Sequence, residues 1–138
     1  MTSIARVRDF MTTCPETIEV DAPLVDARTR MAELRIRHLP VVCDGRLVGI
    51  VSDRDVNLTE SLLTDAPPRN TPVSVREAMS EVVFTCGPAA HLHAVADEMA
   101  REKHGSAVVV DPGHPLRILG VFTTTDALRA LAQFAPQE

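Results

Sequence analysis

The chain states one pattern twice, and that duplication constrains its fold more than any other feature. Residues 47–55 read LVGIVSDRD and residues 118–126 read ILGVFTTTD. Each is a run of apolar β-formers reaching a Gly, two further apolar residues, a hydroxyl residue, and an Asp three positions beyond it. Upstream, Val7-Arg8-Asp9-Phe10-Met11 answers Val75-Arg76-Glu77-Ala78-Met79, a shift of 68 residues. At the same shift Thr17 falls on Thr85, Met31 on Met99 and Val41-Val42 on Val109-Val110. Self-similarity at a fixed period marks a repeated structural unit. A unit in duplicate can build a pseudo-twofold module with two equivalent clefts.

The two halves predict the same order of elements. A lead segment (7–12 or 75–80) precedes an extended piece, Thr17-Ile18-Glu19-Val20 or Val83-Phe84-Thr85. A helix follows, with Asp21 as N-cap, Pro23 in the first turn, and Leu24, Ala27, Met31 and Leu34 at helical spacing. Leu92, Val95, Ala96 and Met99 repeat that spacing in the second half. Next comes a short β-branched strand, 39–43 or 107–110. Asp44-Gly45 then signals a two-residue hairpin. The corresponding DPGHPLR is three residues longer, which predicts a longer loop. A second helix opens near Asp53 or Thr124, with Leu58, Leu62 and Leu63, or Leu128 and Leu131, on its buried side. The expected division is a first repeat at 1–63, a semi-stiff Pro-rich linker at 64–74, a second repeat at 75–134, and a frayed tail at 135–138.

A β-α-β-β-α unit in duplicate is the order of elements in the CBS domain, and RHLPVVCDGRLVGIVSDRD closely resembles that family's motif. HGSAVVVDPGHPLRILGVFTTTD resembles it too, apart from Val108 where the family has Pro. The likeness covers about residues 5–132. It implies an α+β fold of two repeats in pseudo-twofold symmetry, small sheets covered by helices, with no attached catalytic domain.

Read without the family, Ser52 lies near a helix N-cap, where its hydroxyl can satisfy a free backbone N–H or meet a ligand. Asp55 lies on the same side, three residues on. A helix N-terminus favours an ionised carboxylate, and two carboxylate oxygens suit a vicinal diol such as a ribose. Thr123 and Asp126 repeat the arrangement. The same spacing also makes an ordinary capping box, which is the blander reading. In the family resembled, this Asp commonly holds the ribose of an adenosine ligand, and each cleft takes its adenine wall from the other repeat. The resemblance therefore implies one cleft of Ser52, Asp55, Thr85, His104, Gly105 and Ala107. The other joins Thr123 and Asp126 to Thr17, Ile18, Arg37, His38, Leu39, Pro40 and Arg54. This second cleft is the better equipped for phosphate, through the fork of Arg37 and the switchable charge of His38. Arg35 and Arg37 also suit a plain solvated helix end. The expected ligand is AMP, ADP or ATP, ahead of S-adenosylmethionine or an NAD-type molecule. Asp126→Ala is expected to abolish binding in the second cleft and leave the fold intact.

The remaining chemistry is thin. His91 and His93, two apart on a helix, cannot share a face, and no Cys or carboxylate adds a zinc-like spacing; no metal site is expected. No Gly-rich phosphate loop, nucleophile elbow or acid–base pair is present, so catalysis is not expected. A net charge of −5 argues against a nucleic-acid partner. Cys14, Cys43 and Cys86 have no CxxC spacing and suit a reducing compartment, with Cys43 buried at a strand end. MTSIARVRDF lacks a signal-peptide core, and no apolar run approaches the roughly 18 residues of a membrane span. A soluble cytoplasmic protein is expected. The resemblance further implies a homodimer through helical faces bearing Leu58, Leu62, Leu128 and Leu131, and a regulated protein partner of unknown identity. The rival expectation is an interaction module on the same scaffold without nucleotide.

Overall fold

The computed structural model describes residues 4–134; the tail at 135–138 lies outside them. In chain order the elements are a 3-10 turn (Val7–Asp9), β1 (Thr12–Thr13), β2 (Ile18–Glu19), α1 (Leu24–Leu34), β3 (His38–Cys43), β4 (Arg46–Ser52) and α2 (Asp53–Leu63). They continue with α3 (Val75–Ala78), β5 (Thr85–Cys86), α4 (Leu92–Glu102), β6 (Ser106–Asp111), β7 (His114–Thr123) and α5 (Thr124–Phe134). The chain is a mixed α+β protein in which β-α-β-β-α occurs twice, as the duplicated sequence predicts.

Two compact units result. A central unit is Glu16–Val83, and a terminal unit joins Met1–Pro15 to Phe84–Glu138. The central sheet runs β2-β3-β4, with β2 parallel to β3 and β3 antiparallel to β4. The terminal sheet runs β1-β7-β6-β5, with β5 parallel to β6 and the other pairs antiparallel. A parallel pair needs a crossover, which α1 and α4 supply. The buried residues of these helices are the spaced apolar ones, Leu24, Ala27 and Met31 in α1, and Leu92, Val95 and Met99 in α4. Each helix ends on a left-handed residue, Arg35 (φ 55°) or Lys103 (φ 60°), after which Ile36 and His104 donate to the carbonyls of Met31 and Met99.

The compact units are out of phase with the sequence repeats. Val7, from the lead segment of the first repeat, is buried in the terminal core beside Phe122. Val75, its counterpart 68 residues on, is buried in the central core beside Ile18 and Val51. The lead segments also complete the sheets. Thr12 and Thr13 pair with Val121 and Gly120, and Ser80 pairs with Ile50. This explains the repeated Gly. A Cβ on Gly120 would sit 2.7 Å from the Thr12 carbonyl oxygen, and one on Gly49 would sit 2.8 Å from that of Ser80. Space, and not backbone conformation, demands glycine at both positions.

Several expectations need correction. The second hairpin has no longer loop: Asp111 pairs with His114, and the extra residues lengthen β7, with register shifts on β6. The first hairpin does turn on Asp44 (φ 51°) and Gly45 (φ 77°), the left-handed pair that fits strand twist. Asp21 does not cap α1. Pro23 occupies the N-cap, the Leu24 N–H goes to the Val73 carbonyl (2.7 Å), and Asp21 pairs with Arg76. Leu34 is exposed, as are Leu58, Leu62, Leu128 and Leu131. The inward positions of α2 and α5 are Val56, Asp126 and Ala130.

Candidate functional site

Ser52 and Asp55 form a complete capping box at the start of α2. The Ser52 N–H donates to Asp55 Oδ2 (2.8 Å) and the Asp55 N–H donates to Ser52 Oγ (3.1 Å). Two orphan donors of the helix start are thereby satisfied. The Asp53 N–H goes to the Arg37 carbonyl (2.9 Å). Asp55 remains half-exposed, and its Oδ1 meets no donor among the described residues. The carboxylate caps with one oxygen and keeps the other.

Thr123 and Asp126 repeat the box at α5, with different surroundings. Asp126 Oδ2 accepts from the Thr123 N–H (3.0 Å) and hydroxyl (3.2 Å). Its Oδ1 accepts from Arg129 Nη1 (3.2 Å) and, at the long distance of 3.5 Å, from the Thr12 hydroxyl. The residue is 3% exposed. The Gly105 carbonyl accepts from the Thr124 N–H (3.1 Å), as the Arg37 carbonyl does for Asp53. Arg129 and Thr12 were absent from the residues drawn from sequence. The first was legible as an Asp–Arg pair three apart on a helix, whereas nothing local points to Thr12.

Within the central unit the structure brings Arg37, His38, Leu39 and Pro40 against Ser52–Asp55, because β3 and β4 pair His38 with Ser52 and Leu39 with Val51. Within the terminal unit Ser106 pairs with Thr123 and Ala107 with Phe122. Ile18, Leu39 and Ala107 are core side chains, each 2% exposed or less, so these positions offer a ligand main chain only. Pro40 is likewise buried. Thr17 is half-buried, its carbonyl accepting from Arg30; Thr85 is exposed on β5. His104 stacks on Phe84, with ring centroids 4.9 Å apart. Arg37 and Arg54 are exposed and form no ion pair among the described residues, which leaves two guanidinium groups available to an anion.

His38 is half-buried, and burial pushes its imidazole below the ordinary 6.5. The Asp53 and Asp55 carboxylates oppose this shift, and the Arg37 guanidinium adds to it. The unfolded chain therefore takes up the proton first as pH falls. Stability is lost from about pH 6.5 downward, until the folded imidazole is also protonated. Thermal melts at about pH 7.5 and pH 5.5 should show a smaller acid loss in His38→Gln than in the parent. Equal losses would remove His38 as the cause.

Among the described residues no three His, Cys, Asp or Glu side chains gather as a metal set. Cys43 is exposed, contrary to expectation, because it ends β3 at the hairpin. Burial pushes the Cys86 thiol up to about 11, which keeps it protonated and unreactive at neutral pH.

A pair of β-α-β-β-α repeats, each with a hydroxyl-capped acidic start to its last helix, defines a class of duplicated α+β modules. The CBS domain family matches residues 7–58 and 75–133, and the chain belongs to that family. It is 31% identical over 123 residues to the homoserine O-acetyltransferase of Methanosphaera stadtmanae, covering 88% of this chain and 23% of that protein. It spans 41% of the Methanocaldococcus jannaschii protein MJ1225. With these longer relatives the shared part is the CBS pair. YhcV of Bacillus subtilis, a CBS domain-containing protein, is 27% identical over 86% of this chain and 81% of its own length. Among solved structures, the CBS domain pair of MJ0100 in complex with 5′-methylthioadenosine and S-adenosyl-L-methionine superposes with a TM-score of 0.82. It is 25% identical and covers 96% of this chain and all of that one. CBSX2 of Arabidopsis thaliana in complex with AMP gives 0.75 at 25% identity, covering 93% and 96%.

Proposed function

We propose that this chain is a regulatory module that binds an adenine nucleotide at its hydroxyl-x-x-Asp motifs and signals ligand state to a protein partner. The observation that carries this reading is the carboxylate of Asp55. It is half-exposed, has one oxygen uncommitted among the described residues, and shares its unit with the guanidinium groups of Arg37 and Arg54, which form no ion pair among them. A ribose diol can donate to the first, and a phosphate can accept from the others. That MJ0100 and CBSX2 hold adenosine compounds on the same scaffold supports the ligand class. AMP, ADP and ATP rank ahead of S-adenosylmethionine because of those two arginines, and ahead of NAD-type ligands because the solved relatives hold single adenosine compounds. Signalling requires the ligand to favour one of two states of the module.

Isothermal titration calorimetry against AMP, ADP, ATP and S-adenosylmethionine tests the reading. A micromolar isotherm with a phosphate-bearing ligand is expected, and silence from all four on folded protein would sink it. Silence would favour the rival, an interaction module without nucleotide.

The module is further proposed to work as a cytoplasmic homodimer. No helix among the described residues is long and apolar enough to cross a membrane. Leu58 and Leu62 on α2, and Leu128, Leu131 and Phe134 on α5, are each at least 59% exposed, and each helix thus offers apolar side chains that a second copy would cover. Light scattering should give twice the 15.0 kDa chain mass, and Leu62→Glu with Leu131→Glu should lower it to that of one chain.

A further inference from the structure

The two copies of the motif hold their carboxylates differently, and two pairs of counterparts account for it. In the terminal unit, three residues beyond Asp126, Arg129 donates to Oδ1 (3.2 Å), and Thr12 reaches the same oxygen. In the central unit, three residues beyond Asp55, the counterpart is Leu58, which has nothing to donate. Ser80, the counterpart of Thr12, is spent elsewhere: its hydroxyl donates to the Val82 carbonyl (3.1 Å) and accepts from the Val82 N–H (3.2 Å). Asp126 is therefore enclosed and satisfied at both oxygens, whereas Asp55 is half-open with one oxygen spare.

We infer that Arg129 is an internal latch on Asp126, which makes Asp55 the resident adenosine position and keeps the second position closed until the latch is displaced. The inference rests on the adenine-nucleotide reading above and reverses the ranking of clefts expected from sequence. A sugar hydroxyl is a neutral donor. To reach Asp126 Oδ1 it must displace a guanidinium, giving up a bond charged on both partners for one charged only at the acceptor. The apparent affinity of the second position falls by the fraction of molecules in which the latch is open.

AMP calorimetry on six proteins tests this. In the parent, about one AMP per chain is expected, lost in Asp55→Asn. Arg129→Leu, which installs the residue of the first copy, is expected to raise stoichiometry to about two as the closed fraction disappears. Arg129→Leu/Asp55→Asn is expected to retain about one AMP per chain at Asp126, by the same argument. Arg129 has a side chain 62% exposed, so its replacement spares the core, and Arg129→Gln should behave as Arg129→Leu does. Two sites in the parent, or unchanged stoichiometry in both Arg129 variants, overturns the latch. Parent binding that survives Asp55→Asn but is lost in Asp126→Asn leaves the nucleotide reading standing and overturns the latch alone. If none of the proteins binds AMP, both fall together.

Discussion

Gly120→Val is expected to lower the free energy of unfolding by about 2–3 kcal/mol, at the upper end of what overpacking costs. The reason lies in what a Cβ would meet. It would stand 2.7 Å from the Thr12 carbonyl oxygen and 3.0 Å from the sulfur of Met11. Methionine can swing aside, but the carbonyl belongs to the backbone of β1, which is paired to β7 at Thr13 and Gly120. Relief requires β1 to leave the sheet, and Val7 is anchored in the terminal core just upstream. Urea unfolding should show a lower midpoint, and limited proteolysis should cut the chain near residues 8–14 faster than in the parent. Gly87→Ala is the control, since its nearest neighbour would be Pro112 at an ordinary 3.6 Å; it should stay within about 0.5 kcal/mol of the parent. A Gly120→Val midpoint equal to that of Gly87→Ala would refute the steric account.

The same glycine shows where sequence reading succeeds and where it stops. The two Gly positions, the Asp-Gly turn, the spaced apolar residues of α1 and α4, and the hydroxyl/Asp caps were all legible, because each is encoded within a few residues. The exchange of lead segments was not. Val7 and Val75 are the same residue in the same local pattern, so the sequence cannot distinguish packing in their own repeat from packing in the other. The leucines of α2 and α5 failed for a related reason. Two apolar stripes run along each helix, and periodicity alone does not say which faces the sheet; the smaller Val56 and Ala130 took the inner positions. Of the candidate site, the capping boxes were readable. The enclosure of Asp126 was not, because it depends on Thr12, a residue 114 positions away in the chain.

That enclosure changes what Asp126→Ala should do. The sequence alone suggests a binding-site substitution that spares the fold. In the structure, the carboxylate is 3% exposed and accepts from the Thr123 N–H, the Thr123 hydroxyl, Arg129 and Thr12. Thr123 still caps through its hydroxyl, and the loss is that of the acceptor for its half-buried N–H and hydroxyl, about 1–3 kcal/mol. The Arg129 guanidinium is largely solvated, so its contact weighs on access to Oδ1 more than on folding. A loss of about 1–3 kcal/mol should lower Tm by roughly 3–11 °C in a chain of this size. Asp55→Ala leaves the Ser52 cap in place and removes one acceptor, that of the half-exposed Ser52 N–H, and should cost no more than ~1 kcal/mol. Its larger effect falls on AMP, where loss of a charged acceptor for the diol removes about 1.5–3 kcal/mol per bond, at least a tenfold weakening. The two carboxylates, alike in sequence, should thus separate by assay: Asp126→Ala chiefly in the melting curve, Asp55→Ala chiefly in the isotherm. Equal melting losses from the two substitutions would mean that the burial of Asp126 carries no structural weight.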